Sequence, residues 1–542
     1  MRKPLSELLS SFTSHGVAYS ITGTLKDAEV SSLAFDSRAV TQGALFFALP
    51  GTHTSGNTFV EQAIERGASA VIYQGEIPAN VLSRHGERVA FVQVASSRFA
   101  MSPVSAAFYD NPSEKLVVFG VTGTEGKSST VSFIWQLLRK AGYKAGFIST
   151  VQYSTGDDAI DNSEHQTTPE APIVQMRLHQ MVQNGCTHAV IEASSHGLSR
   201  RTNRLGDVLF DCAVLMNVKT EHLEFHGDFD TYKNDKANLF RSLDAHDHTK
   251  TIAGKRQQVA ACGIVNLEDK EASFFASSTH HKVVGFTSAG RAAPSSKPLP
   301  PIPSGVEEYC CRAIVSDAGG ISFILQKTGQ EGLPVCALVP GTFNVLNVTA
   351  SLLAVAMMTG VSLADLIPFA RNLVGVKGRM TSIDEGQDFE VIVDYAHTPS
   401  SFEAIFPAIR VRCKERMICV FGSAGERDTV KRPLQGEVAG HWCDVVILAD
   451  EDPRGEDSEA ILRQIAAGAT QAGKVEGKDL FLIACRPAAI RRAFALAGAG
   501  DVVMLLGKSH ENSIIYADGS HPYDEITEAR KALRELLAAQ KE

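Results

Sequence analysis

The stretch from Val117 to Thr130 reads Val-Val-Phe-Gly-Val-Thr-Gly-Thr-Glu-Gly-Lys-Ser-Ser-Thr, an apolar run that leads into a glycine-rich segment. This order predicts a buried strand, a phosphate-binding turn and the start of a helix. The backbone N–H groups of such a turn and the positive end of the helix dipole attract a phosphate. Lys127 can reach the terminal phosphates of a nucleotide, and the Ser128 hydroxyl can ligate Mg²⁺. The stretch therefore predicts a protein that transfers or hydrolyses a phosphate of ATP.

The spacing of the glycines differs from that of the plain P-loop. Gly120 and Gly126 enclose five residues with Gly123 in the middle, whereas the plain pattern has four. The alternative interpretation is a glycine-rich strand–helix turn with a solvated lysine. The strand, turn and helix around the glycines favour phosphate binding over that alternative.

Composition limits the class of protein. The chain has 542 residues, which is too long for one hydrophobic core and corresponds to roughly three domains. Hydrophobic residues make up 44% and charged residues 21%, as in ordinary soluble globular proteins. The net charge of −9 argues against nucleic acid or an anionic membrane as the main partner.

Cysteine spacing and apolar runs bear on localisation. The ten cysteines are scattered without a Cys-x-x-Cys pair, so we expect reduced thiols rather than a zinc site or a disulfide framework. No apolar run reaches the ~20 residues that a membrane span needs, and the beginning, Met-Arg-Lys-Pro-Leu, lacks the apolar core of a signal peptide. We therefore expect a cytoplasmic protein with no membrane span.

Alternating strand and helix patterns predict an α/β fold with three domains, over residues 1–106, 107–336 and 337–542. Such alternation implies parallel sheets covered on both faces, with ligands at the carboxyl ends of the strands. The proline-rich segment 290–305 is expected to join outlying strands of the central domain, since apolar alternation resumes at residues 321–325. The predicted strands are Ala44–Leu49, Ala70–Tyr73, Leu116–Phe119, His188–Glu192, Cys212–Asn217, Val391–Asp394, Met417–Phe421, Val445–Ala449 and Val502–Leu506.

Polar residues cluster directly after strands of the central domain. Glu192 is followed by Ala-Ser-Ser-His-Gly-Leu, and the segments 217–227 and 232–240 add further histidines, lysines and carboxylates. Mg²⁺ prefers oxygen ligands that it shares with substrate phosphate, a need that Glu192 meets. His222 is a softer ligand for a second metal ion. A structural role is the alternative for His222 and for His196, because single histidines are weak signals.

The order of motifs along the chain resembles the Mur ligases, and most closely their MurE type. Residues 120–128 match the family pattern G-x-x-G-T-[NE]-G-K-[TS], and residues 192–198 are similar to the MurE signature Glu-x-Ser-Ser-His-Gly-Leu. The other matching motifs are Asp36-Ser37-Arg38, Leu49-Pro50-Gly51, Asp394-Tyr395-Ala396-His397-Thr398-Pro399, Asp428-x-x-Lys431-Arg432-Pro433, Asp452-Pro453-Arg454 and Gly507-Lys508-Ser509-His510-Glu511. They cover nearly the whole chain, and their combination is highly specific.

The resemblance implies an N-terminal domain for the UDP group, a central P-loop-type ATPase and a C-terminal Rossmann-like domain that closes over the site. ATP would phosphorylate the free side-chain carboxylate of D-glutamate in UDP-MurNAc-L-Ala-D-Glu, and the amine of a diamino acid would then displace the phosphate. Phosphorylation gives the carboxylate a better leaving group, and Mg²⁺ with Lys127 neutralises charge on the transferring phosphoryl. Domain closure would keep water from the acyl phosphate.

The same resemblance implies the nucleotide and metal residues. Lys127, Glu192, His222 and Lys236 would be catalytic, and two Mg²⁺ ions would be held by Ser128, Glu192, His222 and Lys236. Lys236 matches the lysine that carries a CO₂-derived carbamate in this family, which requires an uncharged amine; a surface ion pair is the alternative. The residues implied in ATP binding are Gly123, Thr124, Glu125, Gly126, Lys127, Ser128, Ser129, Asn344, Asn347, Arg379 and Asp394. For Asn344, helix capping is the alternative.

Two further groups of residues would hold the other substrates. The residues implied in binding the UDP-MurNAc-dipeptide are Ser37, Thr52, His53, Thr167, Thr168, Ser194, Arg200 and Arg204. The loop after Ser-Ser-His-Gly-Leu is two residues longer than usual, so Arg200, Arg201 or Arg204 could supply the family's arginine. The residues implied in binding the incoming amino acid are Arg427, Asp452, Arg454, Gly507 and Glu511.

The identity of the diamino acid depends on residues 451–454, Glu-Asp-Pro-Arg, where the family usually has Asp-Asn-Pro-Arg. Arg454 can grip a carboxylate with two parallel hydrogen bonds, as in MurE enzymes that use meso-diaminopimelate. Asp452 adds a negative charge that favours an ammonium, so L-lysine or L-ornithine is the alternative, with Arg454 paired to Asp452 or Glu456. An Asp–Arg pair that only shapes a turn is a third interpretation. We expect meso-diaminopimelate.

Four further positions depart from the family pattern: Glu125, Glu221, Asp235 and Ser509 stand where asparagine, aspartate, alanine and glycine are commoner. No phosphate-binding or metal group is lost, so we expect an active enzyme. We also expect a monomer whose partners are small molecules. The alternatives are another ATP-dependent ligase, of the MurF type or similar to folylpolyglutamate synthetase, and a non-catalytic nucleotide-binding scaffold.

Overall fold

The computed structural model describes residues 1–23, 26–51, 54–162, 166–219, 221, 223–288, 301, 304–317 and 319–540. Three sheets of five, eleven and six strands follow one another along the chain, and helices flank each of them. The α/β class that the sequence predicts is therefore confirmed. Within the described part of the chain, every helix is too short or too polar to cross a bilayer.

The N-terminal sheet has four parallel strands and one antiparallel edge strand. In spatial order its strands are Tyr19–Thr22, Ala90–Val94, Ala68–Tyr73, Ala44–Ala48 and Ser32–Ala34. Its helices are Leu5–His15, Val60–Glu65, Ala79–His85 and Ser97–Phe108. Leu45 and Phe47 pack into one apolar cluster and Phe46 into another. Both faces are thus covered, which explains the unbroken apolar run of this strand.

The central sheet has seven parallel strands, and two further antiparallel strands lie at each of its two edges. In spatial order its strands are Ile160–Asp161, Gln152–Ser154, Ala145–Ile148, His188–Glu192, Val117–Thr122, Cys212–Leu215, Cys262–Asn266, Lys282–Thr287, Glu307–Asp317, Gly320–Lys327 and Leu333–Ala337. Its helices are Lys127–Lys140, Ala171–Gln183, Ser195–Leu198, Leu223–His226, Phe229–Ser242 and Ala272–Ala276. The glycine-rich turn therefore leaves the middle of a parallel sheet, where ligands of such folds bind.

Two strands flank the proline-rich segment, most of which lies outside the described residues. Lys282–Thr287 and Glu307–Asp317 are parallel neighbours in the central sheet, so the segment joins outlying strands of that sheet, as the sequence predicts. The strand predicted at Leu116–Phe119 is observed at Val117–Thr122, because it continues through Gly120 to the start of the turn.

Helices Phe343–Thr359 and Leu363–Ala370 belong to the core of the central sheet. Val345, Val348 and Leu352 share one apolar cluster with Val131 and Ile134 of the helix that follows the glycine-rich turn. The predicted boundary at residue 336 would separate these buried side chains from their core. We therefore propose that the central domain extends to about residue 373, where that cluster ends.

The C-terminal sheet has five parallel strands and one antiparallel edge strand. In spatial order its strands are Thr381–Ile383, Glu390–Asp394, Val502–Leu506, Met417–Phe421, Val445–Leu448 and Leu480–Leu482. Its helices are Pro399–Arg412, Lys431–Trp442, Ser458–Gln471, Arg486–Leu496 and Glu525–Ala539. Three two-stranded ribbons complete the fold, namely Lys3–Pro4 with Glu29–Val30, Thr249–Ile252 with Lys255–Gln258, and Ser513–Tyr516 with Gly519–Pro522.

Candidate active site

At its end, the glycine-rich turn has a backbone conformation that favours glycine. Gly126 has φ 81°, in the left-handed region that side chains disfavour. A Cβ atom at Gly126 would lie 2.6 Å from Oδ1 of Asn347. The helix then begins at Lys127, so its N-terminal N–H groups point back into the turn, where they can meet a phosphate.

Asn217, a residue that the sequence analysis did not single out, anchors this turn. The backbone N–H of Thr124 donates to the carbonyl of Asn217 at 2.9 Å, and that of Glu125 donates to its side-chain oxygen at 2.9 Å. The Thr124 hydroxyl lies 3.0 Å from the Tyr232 hydroxyl. The turn is thus held by its own protein contacts. Asn217 follows the neighbouring strand Cys212–Leu215, and that position is the signal that could have identified it.

Oxygen atoms of the turn and of an adjacent strand end come together. Oγ of Ser128 donates to Oε1 of Glu192 at 3.1 Å, and the N–H of Thr150 donates to Oε2 at 2.9 Å. Glu192 ends the buried strand His188–Glu192 next to the strand that leads into the turn. A hydroxyl beside a carboxylate is a donor set that suits Mg²⁺. His222 lies outside the described residues.

Lys236 is buried beside the same turn. It is 2% exposed, and its Nζ donates to the carbonyl of Gly123 at 2.7 Å. Burial, and then the positive charge of Lys127, holds the pKa of Lys236 well below its usual value. The surface ion pair considered above is therefore wrong for this lysine, because its amine is enclosed and has a reduced tendency to hold a proton.

One cavity of about 500 Å³ lies between the central and C-terminal sheets. The predicted site residues that line it are Thr124, Glu125, Gly126, Lys127, Ser128, Ser129, Thr167, Glu192, Ser194, Lys236, Asn347, Arg379 and Asp394. Its wall also carries charged side chains that we did not assign, namely Lys219, Glu221, Glu268 and Asp269. Carboxylates thus outnumber cations in the wall, which favours a bound cation.

The C-terminal domain contributes Arg379 and Asp394 to this cavity. Nη2 of Arg379 lies 3.5 Å from Oγ of Ser128, and the guanidinium lies 4.8 Å from the ring centre of Tyr395. Asp394 accepts hydrogen bonds of 2.8 Å from the N–H groups of Met380 and Ala396. Burial raises the pKa of Asp394. Arg379 thus brings a positive charge from the C-terminal domain to the glycine-rich turn.

Asn344 and Asn347 lie at the start of the helix Phe343–Thr359. The side-chain amide of Asn347 donates to Oδ1 of Asn344 at 2.9 Å, and the amide of Asn344 donates to the carbonyl of Pro340 at 2.6 Å. Thr342 is the N-cap residue of this helix. Helix capping, the alternative considered for Asn344, is therefore wrong.

The residues expected to hold the UDP-MurNAc-dipeptide are spread over two domains. Ser37, in the N-terminal domain, donates to Oε1 of Gln62 at 2.7 Å and does not line the cavity. The Thr168 hydroxyl donates to the carbonyl of Glu192 at 2.8 Å and accepts from the N–H of Ser194 at 3.0 Å. These bonds fix the loop next to Glu192. Thr52 and His53 lie outside the described residues.

The three candidate arginines have different surroundings. Arg204 donates to the carbonyl of Thr168 at 2.8 Å and to Oε1 of Glu170 at 2.9 Å. Arg201 stacks on Phe225, with its guanidinium carbon 4.3 Å from the ring centre, and Arg200 is exposed. Arg204 is thus the arginine that contacts the Thr167–Thr168 loop.

The residues expected to hold the amino acid cluster around Lys508. This buried ammonium donates to Oδ1 of Asp452 at 2.8 Å and also bonds Glu511. Lys508 is thus the partner of Asp452. Removing one partner of a buried ion pair destabilises a protein by about 3–5 kcal/mol, so the pair also stabilises this region. Burial raises the pKa of Glu511. Tyr395, which lines the cavity, donates to Oε1 of Glu511 at 3.2 Å and so joins this cluster to the cavity.

Arg454 pairs with neither carboxylate that we considered for it. Glu456 instead accepts two hydrogen bonds from Arg432, at 2.8 and 3.0 Å. Within the described ranges the side chain of Arg454 has no hydrogen-bond or ion-pair partner, whereas its backbone N–H donates to the carbonyl of Ile515 at 2.9 Å. Its buried Nε is unsatisfied, as is Oε2 of Glu451. The alternative in which Arg454 pairs with Asp452 or Glu456 is therefore wrong, and so is the turn-shaping Asp–Arg pair. Buried polar groups of native proteins are nearly always hydrogen-bonded, so these two atoms are suited to bind a polar ligand or water.

Three other positions in or near this cluster were singled out from the sequence, namely Gly507, Ser509 and Arg427. A Cβ atom at Gly507, where φ is 94°, would lie 2.9 Å from Oε2 of Glu451. Ser509, where glycine is commoner, has φ 46° and donates to the carbonyl of Gly378 at 2.5 Å. Arg427 is exposed, without a hydrogen bond to any described residue. Ser509 thereby ties this loop to the segment that carries Arg379.

His397, a residue of the Asp394–Pro399 motif, also lines the cavity. Its Nδ1 lies 2.8 Å from the carbonyl of Tyr395, and its Nε2 lies 4.0 Å from Oε1 of Glu221. Burial, and then the charge of Lys431, lowers the pKa of His397 to about 4. A neutral imidazole can hydrogen-bond a ligand without adding charge.

A second group of possible metal ligands lies outside the cavity. Asp211, His246 and His248 have ligand atoms within 4.8 Å of one another. The Lys250 ammonium already bonds Asp211, and both ring nitrogens of each histidine have partners. This group is therefore a buried charge network with no atom left for a metal ion.

Three protein-family models, all of Mur ligase domains, match the chain. They are the Mur ligase family catalytic domain over residues 29–109, the Mur ligase middle domain over residues 121–355 and the Mur ligase glutamate ligase domain over residues 378–509. The second ends inside the helix Phe343–Thr359, in agreement with the core that this helix shares with the central sheet.

Named relatives extend this similarity over more than nine-tenths of the chain. The UDP-N-acetylmuramyl-tripeptide synthetase of Treponema denticola is 50% identical over 523 residues, which cover 93% of this chain and 94% of that protein. The UDP-N-acetylmuramoyl-L-alanyl-D-glutamate–2,6-diaminopimelate ligase of Geobacillus kaustophilus is 35% identical and covers 94% of this chain and 95% of its own. A solved structure of a ligase with the latter name is 27% identical, with a TM-score of 0.56 and coverage of 94% and 95%. The chain therefore belongs to the Mur ligase family of ATP-dependent amide ligases and is, within it, of the MurE type.

Proposed function

We propose that the cavity is the active site of a ligase that adds a diamino acid to UDP-MurNAc-L-Ala-D-Glu. The observation that carries this proposal is the meeting of Lys127, Ser128, Glu192 and Lys236 in one cavity that Arg379 enters from the other domain. Lys127 and the N–H groups of residues 123–129 bind the phosphates of ATP. Asn344 and Asn347 would contact the adenine, and Asp394 the ribose.

Ser128 and Glu192 would hold Mg²⁺, which neutralises charge on the transferring phosphoryl group. His222 and a carbamate on Lys236 would complete the second metal position. The depressed pKa of Lys236 supports the carbamate, because only an uncharged amine adds to CO₂. Arg379 and Lys127 face the same phosphates from two sides and stabilise the charge that develops on them.

Ser37, Thr52 and His53 would contact the UDP-sugar, whereas Thr167, Thr168, Ser194 and an arginine would hold its peptide. Among the arginines we favour Arg204, because it bonds the loop that contains Thr168. This placement brings the D-glutamyl carboxylate towards Glu192. ATP phosphorylates that carboxylate, and the amine then attacks the carbonyl carbon as phosphate leaves.

For the incoming amino acid we favour meso-diaminopimelate. The side chain of Arg454 has no partner among the described residues, so its guanidinium is available for a carboxylate on the far end of the substrate. Lys508 neutralises Asp452, which weakens the charge argument for a short diamine. The unsatisfied Oε2 of Glu451 can accept an ammonium hydrogen, and this supports L-lysine or L-ornithine as the second candidate.

A panel of nucleophiles tests the proposal. Purified protein is given Mg²⁺, ATP and UDP-MurNAc-L-Ala-D-Glu with meso-diaminopimelate, L-lysine or L-ornithine, and the product is identified by mass. A tripeptide with meso-diaminopimelate supports the full proposal. A product with L-ornithine or L-lysine alone would retain the reaction and replace the amino acid. No tripeptide with any of the three would refute the proposed function.

Replacing Arg454 by alanine should separate the candidate amino acids. We expect kcat/KM for meso-diaminopimelate to fall about 100-fold, since a charged hydrogen bond contributes roughly 1.5–3 kcal/mol. Use of L-lysine should change far less, because its side chain carries no carboxylate. Arg463→Ala, at an exposed arginine paired with Glu459, is the matched control. An equal loss for both amino acids would show that Arg454 does not read a carboxylate.

A further inference from the structure

Three side chains outside the assigned set form a hydrogen-bonded chain at the cavity wall. Ser195 lines the cavity, and its Oγ lies 3.1 Å from Nε2 of His226. Nδ1 of His226 lies 2.9 Å from Oδ2 of Asp235. We call Ser195, His226 and Asp235 the serine relay. A hydroxyl, an imidazole and a carboxylate in this order can pass a proton along the chain.

The fold holds the central imidazole of the serine relay in a fixed orientation. Ser195 begins one short helix, His226 ends another, and Asp235 lies on the helix Phe229–Ser242. The rings of Phe225 and Tyr232 pack at 4.7 and 5.1 Å from the His226 ring, centre to centre. The Asp235 carboxylate can accept a hydrogen from Nδ1 of His226, and in that tautomer Nε2 can accept the hydrogen of the Ser195 hydroxyl.

The serine relay connects the cavity with the outside of the protein. The His226 side chain is fully buried, whereas that of Asp235 is 14% exposed. His226 does not itself line the cavity, so among the described residues it reaches the cavity through the Ser195 hydroxyl. Ser195 adjoins Ser194 and shares the cavity with Glu192 and Lys236. A proton taken up at Ser195 can thus move away from the reacting centre.

We propose that the serine relay removes the proton of the attacking amine. The inference rests on the proposed function, in which an amine forms a C–N bond at the acyl phosphate and phosphate leaves with the electrons of the C–O bond. The nitrogen must lose a proton in this step. That proton passes to Oγ of Ser195 while the hydroxyl hydrogen of Ser195 passes to Nε2 of His226. Asp235 stabilises the resulting imidazolium through Nδ1–H.

The roles of the three residues differ. Ser195 is the catalytic residue of this proposal, since it lines the cavity in which the amine would attack. His226 and Asp235 act through Ser195 and are positioning residues. Loss of Ser195 or His226 interrupts the proton path, whereas Asp235→Asn keeps a hydrogen-bond acceptor beside Nδ1 and removes only its charge. We therefore expect a smaller loss for Asp235→Asn than for the other two variants.

A nucleophile that does not depend on a protein base tests the serine relay, because water can take the proton that its nitrogen loses. Hydroxylamine is unprotonated at neutral pH and converts an acyl phosphate to a hydroxamate, which can be measured by its colour with ferric ion. Ser195→Ala and His226→Gln should each lower tripeptide formation about 100-fold while hydroxamate formation stays near the wild-type rate. The control is Asp230→Asn, on the same helix as Asp235, whose exposed carboxylate pairs with Lys233; it should change neither rate.

The two rates distinguish the possible failures. If the variants lose hydroxamate and tripeptide formation equally, the serine relay is only structural and the inference is refuted. Unchanged tripeptide formation in Ser195→Ala would refute it as well. Ser195→Ala removes only one oxygen atom. Its fold is checked by thermal melting, in which ATP should raise the melting temperature as much as it does for the wild type. If the wild-type protein forms neither hydroxamate nor tripeptide, the proposed function itself fails.

Discussion

Replacing Lys236 by alanine should lower tripeptide formation by about 10²- to 10³-fold, and millimolar formate or acetate should restore part of the activity. The amine of Lys236 is buried at the glycine-rich turn and has a depressed pKa, the state in which a lysine can bind CO₂ as a carbamate. The variant would lose the anionic oxygen ligand that the proposed carbamate supplies, and it gains space for a small carboxylate. Product formation is measured by mass, with and without the added carboxylate.

Two controls accompany the Lys236 variant. Lys233→Ala, on the same helix, removes a lysine that pairs with Glu271 at 3.0 Å and should leave the rate near that of the wild type. For the unchanged protein, buffer freed of CO₂ should lower the rate, and bicarbonate should restore it. If no short carboxylate rescues Lys236→Ala although ATP binding is intact, the carbamate proposal is refuted.

Replacing Lys127 by alanine should lower ADP release by about 10³-fold. Lys127 begins the helix behind the turn, and its Nζ donates to the carbonyl of Thr124 at 2.8 Å, within reach of bound phosphates. The variant loses a positive charge where negative charge develops. It also affects Lys236, because the charge of Lys127 lowers the pKa of that amine. Without Lys127 the pKa of Lys236 rises, and less of the amine is free to bind CO₂.

Lys140→Ala is the matched control for the Lys127 variant, since Lys140 is exposed at the other end of the same helix. ADP release and ATP affinity are measured for both variants. Tight ATP binding together with an unchanged turnover in Lys127→Ala would contradict the catalytic assignment and favour a nucleotide-binding scaffold. Bicarbonate should rescue Lys127→Ala far less than formate rescues Lys236→Ala, because the lost phosphate contact is not replaced.

The nucleotide half of the site could be predicted from the sequence because it depends on local patterns. An apolar run, glycines at fixed spacing and a following helix determine where backbone N–H groups and Lys127 point. Strands such as His188–Glu192 and Met417–Phe421 are observed with the bounds predicted for them, since their apolar runs end sharply. Parallel strands then bring Glu192 to the glycine-rich turn, as expected for residues that follow neighbouring strands.

The partners of charged side chains depend on contacts between distant segments. One alternative from the sequence pairs Arg454 with Asp452 or Glu456, but Lys508 and Arg432 approach those carboxylates from other elements. No local pattern reveals such a competition, because the pair that forms depends on which side chains the packed strand ends bring together.

The sequence alone therefore determined the α/β class, the glycine-rich turn and the order of the motifs, because hydrophobic period and turn chemistry act over a few residues. Only the tertiary structure decided that Lys236 is enclosed, that the helix Phe343–Thr359 packs on the central sheet and that Ser195, His226 and Asp235 meet. These features depend on burial and on approach between segments far apart in the chain. Such contacts exist only once the helices have packed against their sheets.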